Sequence, residues 1–140
     1  MSRFLPFGMI ALLTGLLVAG CRDGVGSDET GVAGSYTLVS VNDSPLPYAF
    51  TGPPGRQVIP EGDLRLRDTT YIMRLKVLTP GIGESFFDVE EGRYLIRDSV
   101  IRMIYTHRIV GGLTSREAVP GRNTIRVRIN PELTALFRRK

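Results

Sequence analysis

The side chains of this 140-residue chain that could carry chemistry are few and scattered. A nucleophile–histidine–acid set would have to use His107, the single histidine, and no G-x-S-x-G motif accompanies it. Glu90 and Glu91 are adjacent, so on a strand they point to opposite faces, whereas a glycosidase pair must converge on one bond. Gly81-Ile82-Gly83 lacks the further glycine of a dinucleotide loop and the lysine of a phosphate loop. One cysteine, one histidine and dispersed carboxylates offer little to a metal. We therefore expect a protein that is not an enzyme and uses no cofactor or metal.

The single cysteine, Cys21, follows an apolar N-terminal segment. Arg3 supplies a positive charge, residues 4–18 are almost wholly apolar, and small residues end the segment. This three-part layout is typical of a secretory signal. A membrane-spanning helix needs about 20 uninterrupted apolar residues, and this run is shorter and broken by glycine and proline. The sequence therefore predicts a signal peptide over residues 1–20.

The end of that segment, Leu17-Val18-Ala19-Gly20-Cys21, resembles the lipobox of bacterial lipoproteins. The resemblance implies that the Cys21 sulfur carries diacylglycerol, that the signal is cleaved between Gly20 and Cys21, and that the new amino terminus is acylated. Two or more acyl chains hold a protein stably on a membrane. Arg22 follows the cysteine, and the resemblance to enteric lipoproteins then implies sorting to the outer membrane. We expect an exported protein anchored by lipid at the cell envelope, with nucleic acid excluded as a partner.

The segment that follows Cys21 is predicted to be a tether. Residues 22–33 are rich in glycine and polar side chains and show no periodicity. A dozen such residues have a root-mean-square reach of roughly 20 Å. We therefore divide the chain into a signal peptide (1–20), a lipidated cysteine with its flexible tether (21–33) and a single domain (34–140).

From Gly34 onward the sequence predicts β-strands. Apolar residues alternate with polar ones in several short runs, as in strands with one buried face. These runs cover residues 36–41, 64–67, 71–77 and 125–129. Turn-forming pairs separate them, among them Asp68-Thr69, Asp98-Ser99 and Glu91-Gly92. Links as short as 68–69 and 98–99 require antiparallel neighbours. The pattern therefore predicts an all-β, largely antiparallel sandwich or barrel.

Two regions depart from this alternation. Residues 42–60 hold five prolines and are predicted to be mostly loop. Residues 131–139 are compatible with a short helix that begins after an Asn130 cap, or with a last strand over 134–139. We favour the strand, because it would pair with residues 124–129 and protect that edge.

Residues 34–42, 45–47 and 137–139 resemble small lipocalin-like lipoproteins of bacteria, and the resemblance runs over most of residues 34–139. Lipocalins open with Gly-x-Trp and stack a late arginine on the tryptophan. Here Tyr36 stands in the tryptophan position, and Arg126, Arg128 or Arg138 is the implied arginine. The resemblance implies an up-and-down antiparallel β-barrel of about eight strands. Such a barrel is just wide enough to be filled by side chains or to hold one small ligand.

The expected activity is non-catalytic binding of a small apolar or lipid-like molecule inside this barrel, because barrel mouths are common ligand sites. The alternative is a packed core and an outer surface that recognises envelope protein partners. The many arginines in or beside strands are either the polar face of the sheet or a basic surface for anionic lipid. The candidate ligand-binding residues are Tyr48, Phe50, Tyr71, Met73, Phe87 and Tyr105.

Overall fold

A computed structural model describes residues 31–53, 55–106 and 113–140. The predicted signal peptide, Cys21, most of the predicted tether and His107 lie outside these ranges. Within them, no helix is long and apolar enough to cross a membrane. All the regular structure of the described residues is β: β1 (Gly34–Val41), β2 (Ser44–Pro45), β3 (Tyr48–Gly52), β4 (Gly55–Arg67), β5 (Thr70–Thr79), β6 (Glu84–Arg97), β7 (Val100–Thr106), β8 (Leu113–Pro120), β9 (Thr124–Arg128) and β10 (Thr134–Arg139).

Eight of the ten strands in the described residues close into an antiparallel barrel, which confirms the predicted fold class. Each strand from β4 to β10 pairs with the next, and β10 pairs with β1. The barrel closes where β1 pairs with β4, with Tyr36 opposite Leu64. The remaining two strands are additions at one end, since β2 pairs with β1 and β3 pairs with β4.

Tight hairpins support the antiparallel order. Arg67 pairs with Thr70 and Arg97 with Val100, so each link has two residues, as predicted. Asp68 has φ of 46° and Asp98 has φ of 52°, in the left-handed region that short two-residue hairpins require. Aspartate tolerates this conformation better than most residues, because its short side chain can hydrogen-bond locally.

The barrel has two different ends. One end carries the turns after β4, β6 and β8, and the chain enters the barrel there at Gly34. We call this the closed end. The mouth is the opposite end, formed by the ends of β1 and β5 and the start of β10. The half next to the closed end is filled by fully buried side chains, namely Tyr36, Leu64, Leu66, Tyr71, Ile101, Met103, Ile125, Val127 and Phe137.

The prediction that the proline-rich segment, residues 42–60, is mostly loop is wrong. Residues 44–45, 48–52 and 55–60 are strands. The prolines fit because they occupy positions where a sheet does not need their missing N–H. Pro45 lies in the two-residue edge strand β2, Pro53 in a turn, and Pro60 at a register shift between Val58 and Glu61.

The predicted break at Glu91-Gly92 is also wrong, because both residues lie inside β6. A Cβ at position 92 would lie 2.0 Å from the carbonyl oxygen of Ile104 on β7. Glycine is therefore required by a close backbone approach, not by a turn. In β1 a bulge between Leu38 and Ser40 shifts the alternation, so that Val41 is buried where a strict period of two would bury Ser40.

The C-terminal strand is confirmed. β10 pairs with β9, with Phe137 opposite Ile125. The Asn130 side chain accepts hydrogen bonds from the backbone N–H groups of Glu132 and Leu133, both at 2.8 Å. This is the bonding of a helix N-cap, but it closes a single turn that leads into a strand. The tertiary pairing with β9 and β1 decides the conformation.

The chain entering the barrel is held at the closed end. Val32 is 5% exposed and its carbonyl accepts a hydrogen bond from the Tyr36 hydroxyl at 2.6 Å. Arg139 donates to the carbonyl of Gly31 and to the Tyr36 hydroxyl, with its guanidinium carbon 5.3 Å from the Tyr36 ring centre. The arginine that stacks on Tyr36 is thus Arg139, and not Arg126, Arg128 or Arg138 as expected. Within the described residues, contacts with the barrel extend back to Gly31, three residues before the predicted boundary at Gly34.

Candidate functional site

A cavity of about 200 Å³ opens at the mouth of the barrel. Its walls are mostly apolar, with Gln57, Asp88 and Asn130 as the polar exceptions. One water needs roughly 10–15 Å³ of such volume, and drug-sized ligands occupy roughly 300–1,000 Å³. The cavity therefore suits a short apolar chain or a single ring. Its apolar lining residues are Val41, Phe50, Ile59, Leu75, Val77, Phe86, Ile129, Leu133 and Ala135.

Part of the proline-rich segment lies beside this mouth. The rings of Tyr48 and Phe50 on β3 stack with centres 6.3 Å apart, and Phe50 lines the cavity. Asn42 fixes their position, because its amide donates to the Tyr48 hydroxyl at 3.0 Å and to the carbonyl of Glu132 at 2.8 Å. The side-chain carbonyl oxygen of Asn42 accepts a hydrogen bond from the backbone N–H of Thr134 at 2.8 Å. One side chain thus joins the β3 rim to the turn before β10.

Below the cavity, four side chains form a hydrogen-bonded cluster, which we call the interior polar cluster: Tyr71, Glu90, Tyr105 and Arg116. The Tyr71 hydroxyl donates to Glu90 Oε1 at 2.7 Å, and Arg116 Nη2 donates to Glu90 Oε2. Arg116 also donates to the Tyr105 hydroxyl at 3.1 Å and to the carbonyl of Ile129 at 2.7 Å. Ile129 also lines the cavity, so the cluster is hydrogen-bonded to a residue of the cavity wall without lining the cavity itself.

The cluster is built by strand register. Gly92 lies between Tyr71 on β5 and Tyr105 on β7, and Glu90 follows on the same face of β6 toward the mouth. Arg116 enters from β8 and lies with its guanidinium carbon 5.0 Å from the Tyr105 ring centre. Arg116 Nε is buried and has no hydrogen-bond partner among the described residues.

Burial controls the ionisation of this cluster. The Glu90 and Arg116 side chains are 12% and 13% exposed. Burial raises the pKa of the Glu90 carboxyl above its ordinary value, while the hydrogen bond from Tyr71 and the charge of Arg116 oppose that rise. Burial and the neighbouring Glu90 also raise the pKa of the Tyr71 phenol, which therefore stays protonated as a donor. The cluster thus satisfies buried polar groups inside the barrel.

The six candidate ligand-binding residues take different positions. Phe50 lines the cavity and Tyr48 stacks on it. Tyr71 and Tyr105 meet in the interior polar cluster, and Met73 is buried in the core. Phe87 lies on the other face of β6, where the Lys76 ammonium approaches its ring centre at 6.0 Å.

Sequence reasoning missed Phe86, Glu90 and Arg116 as residues of this region. Phe86 and Glu90 share the inward face of β6, a pattern hidden by Phe87 and Glu91 beside them. Residues 113–120 show no alternation of apolar and polar residues, so the sequence does not predict a strand there. Arg116 therefore cannot be distinguished in the sequence from an arginine on the solvent-exposed surface. The opposite orientations predicted for Glu90 and Glu91 agree with a half-buried Glu90 and an exposed Glu91.

Within the described ranges, no three His, Cys, Asp or Glu side chains lie close enough together to hold a metal ion. Comparisons of the chain with protein-family models, with curated proteins and with solved structures gave no match.

Proposed function

We propose that this protein is an envelope-anchored lipoprotein that binds a small apolar or lipid-like molecule at the mouth of its barrel, without catalysis. The observation that carries the proposal is the mostly apolar cavity of about 200 Å³ at the mouth of the barrel. The core is packed at the closed end and open at the mouth, so a ligand would replace solvent against Leu75, Val77 and Ile129. Each methylene that it buries contributes about 0.8 kcal/mol.

The polar groups near the cavity define the ligand's polar part. Asp88, Gln57 and Asn130 line the cavity, and the Glu90–Arg116 pair lies beneath. Among the lining residues, Asp88 supplies a carboxylate and Gln57 and Asn130 supply two amides, so the ligand's polar part is accommodated beside these groups. An apolar chain with one polar group fits this division.

The experiment measures binding to residues 22–140, which lack the lipidated cysteine. This piece contains every described residue, and the barrel closes upon a core made within it, so we expect it to fold alone. The probes are octanoic acid, octylamine and octanol, which share one chain length and differ in their polar group. Displacement of a fluorescent apolar dye gives affinities, and native mass spectrometry gives stoichiometry.

The Ile129→Trp substitution places a larger side chain in the cavity wall, so it should occupy part of the cavity. The Ile72→Trp substitution is the control, because it adds the same side chain on the exposed outer face of β5. We expect one probe molecule per chain, with at least tenfold weaker binding to Ile129→Trp and unchanged binding to Ile72→Trp. Circular dichroism confirms that both variants fold. Failure of all three probes to bind, or equal binding by both variants, contradicts the proposal.

A second function is favoured by the β5–β6 hairpin. Ile82, Phe86 and Phe87 near its tip are 59%, 50% and 53% exposed. Exposed apolar groups of this size, gathered at one tip, are typical of surfaces that contact other proteins. This supports the alternative that the domain recognises an envelope protein. Site-specific photocrosslinking at position 87 in cells, compared with position 72, tests it: a discrete protein adduct at 87 alone is expected, and its absence contradicts it.

A further inference from the structure

Exposed basic side chains outside every salt bridge are more numerous at one end of the barrel in the described residues. Toward the mouth, Lys76 pairs with Glu61 at 3.1 Å and Arg126 with Asp43 at 3.3 Å, while Arg56 and Arg128 have no salt-bridge partner. At the closed end the described residues include a larger group of such basic side chains, accompanied by the exposed acidic residues Asp68, Glu91 and Asp98. Its members are Arg65, Arg67, Arg93, Arg97, Arg122, Arg138 and Lys140. We call this group the basic end.

The chain enters the barrel at the basic end. Gly31 and Val32 are fixed there by Arg139 and Tyr36. The residues before them include Cys21 and the apolar run 4–18, which the sequence predicts to be a lipid attachment site and an export signal. The predicted anchor therefore connects to the end of the barrel where basic side chains are in excess, and the mouth points away from it.

The basic end also offers grooves and apolar contacts. A groove of about 390 Å³ lies between the entering chain and β4, and Arg65 and Arg67 line it. A second groove of about 320 Å³ brings Leu95, which is 41% exposed, beside Arg97. Guanidinium groups bind phosphate through paired hydrogen bonds, and apolar side chains beside them suit the boundary between headgroups and acyl chains.

From this placement we propose that the basic end is a docking surface for an anionic phospholipid membrane, on which the barrel stands with its mouth outward. Each arginine near an anionic surface strengthens binding about fivefold. Membrane contact by this surface does not require a ligand in the cavity, but its orientation rests on the lipid anchor that is part of the function proposed above.

The test is sedimentation of residues 22–140 with vesicles of phosphatidylcholine, with and without 30 mol% phosphatidylglycerol. Arg97→Gln/Arg122→Gln removes two charges at the basic end. Arg56→Gln/Arg128→Gln removes two exposed charges at the mouth, also without salt-bridge partners among the described residues, so both variants have the same net charge. We expect binding to the anionic vesicles only, about 30-fold weaker for the basic-end pair and within about threefold of the parent for the mouth pair. Raising the salt from about 0.1 M to 0.5 M should abolish binding, since added ions screen these charges.

Three outcomes overturn the proposal. If both double variants lose vesicle binding to the same extent, the protein is attracted to the vesicles by its net charge alone and not by the basic end. Binding lost through Ile82→Ser/Phe87→Ser, and kept in the basic-end variant, means that the mouth meets the membrane. Retention on polyglutamate beads that depends on Arg97 and Arg122, without vesicle binding, assigns the surface to an acidic protein.

Discussion

A carboxylate held inside a barrel destabilises the fold unless other groups replace its lost hydration. Glu90 obtains two such groups, the Tyr71 hydroxyl and the Arg116 guanidinium. Neither comes from a neighbouring residue in the sequence, since Tyr71 lies on β5 and Arg116 on β8. The raised pKa of the Glu90 carboxyl indicates that these partners do not fully offset burial.

The ionisation of Glu90 should make stability depend on pH. Because its pKa is higher in the folded protein, the folded state holds this proton more tightly than the unfolded chain. The Glu90 contribution is therefore fully present below the ordinary value of 4.5 and is lost as pH rises through the folded pKa. Urea unfolding of the parent and of Glu90→Gln between about pH 4 and pH 8 isolates it. The parent's free energy of unfolding minus that of the variant should decrease as pH rises; an increase contradicts the assignment.

Removal of Arg116 should be far more costly than removal of a surface arginine. Arg116→Met leaves the buried Glu90 without its cation, which typically costs about 3–5 kcal/mol. Arg102→Met is the matched control, because Arg102 and Glu117 are 57% and 65% exposed and 3.9 Å apart, and such pairs contribute about 0–1 kcal/mol. Denaturant unfolding at neutral pH compares the two. Similar losses in both variants would show that the interior polar cluster does not stabilise the barrel.

At the scale of the element, the alternation of β5 could be read directly from the sequence. Tyr71, Met73, Leu75 and Val77 all face inward, as a period of two requires. The proline segment could not be read this way, because its strands use edges, a turn and a register shift to accommodate proline. Arg116 could not be assigned either, since an inward arginine needs partners that only the closed barrel brings together.

Substitution of Gly92 tests how closely the backbones of β6 and β7 approach each other. Alanine there places a Cβ 2.0 Å from the Ile104 carbonyl oxygen, so the strands must separate or the pairing must shift. We expect Gly92→Ala to lower the free energy of unfolding by about 1–3 kcal/mol or more. Gly81→Ala is the control, because a Cβ at that turn position meets nothing within 4 Å. Thermal unfolding followed by circular dichroism gives both values, and equal melting temperatures would contradict the close approach.

At the scale of the whole molecule, the two ends of the barrel divide the surface. The mouth carries the cavity, and the closed end carries the basic end and receives the N-terminal chain. Because successive barrel strands run in opposite directions, the turns after β4, β6 and β8 all lie at the closed end. Sequence alone gave the barrel class, but not which arginines would share an end.

The predicted lipid anchor has a direct test in cells. Cys21→Ser removes the sulfur that would carry diacylglycerol, so we expect the variant to stay unprocessed or to leave the membrane fraction. Ser27→Ala, within the predicted tether, serves as the control and should fractionate like the parent. Metabolic labelling with a clickable fatty acid measures lipidation independently. Labelling of the Cys21→Ser chain, or unchanged processing and fractionation, would rule out lipidation at this residue.

The position of β10 also determines when the barrel can form during synthesis. β10 lies between β9 and β1, and it pairs Phe137 with Leu38. Strand β1 can pair early with β2 and β4, but its other barrel neighbour, β10, is made about a hundred residues later in the chain. Contacts of such sequence separation form slowly, because a long loop must be closed first. A nascent chain therefore has no closed barrel until its C-terminal strand has been synthesised.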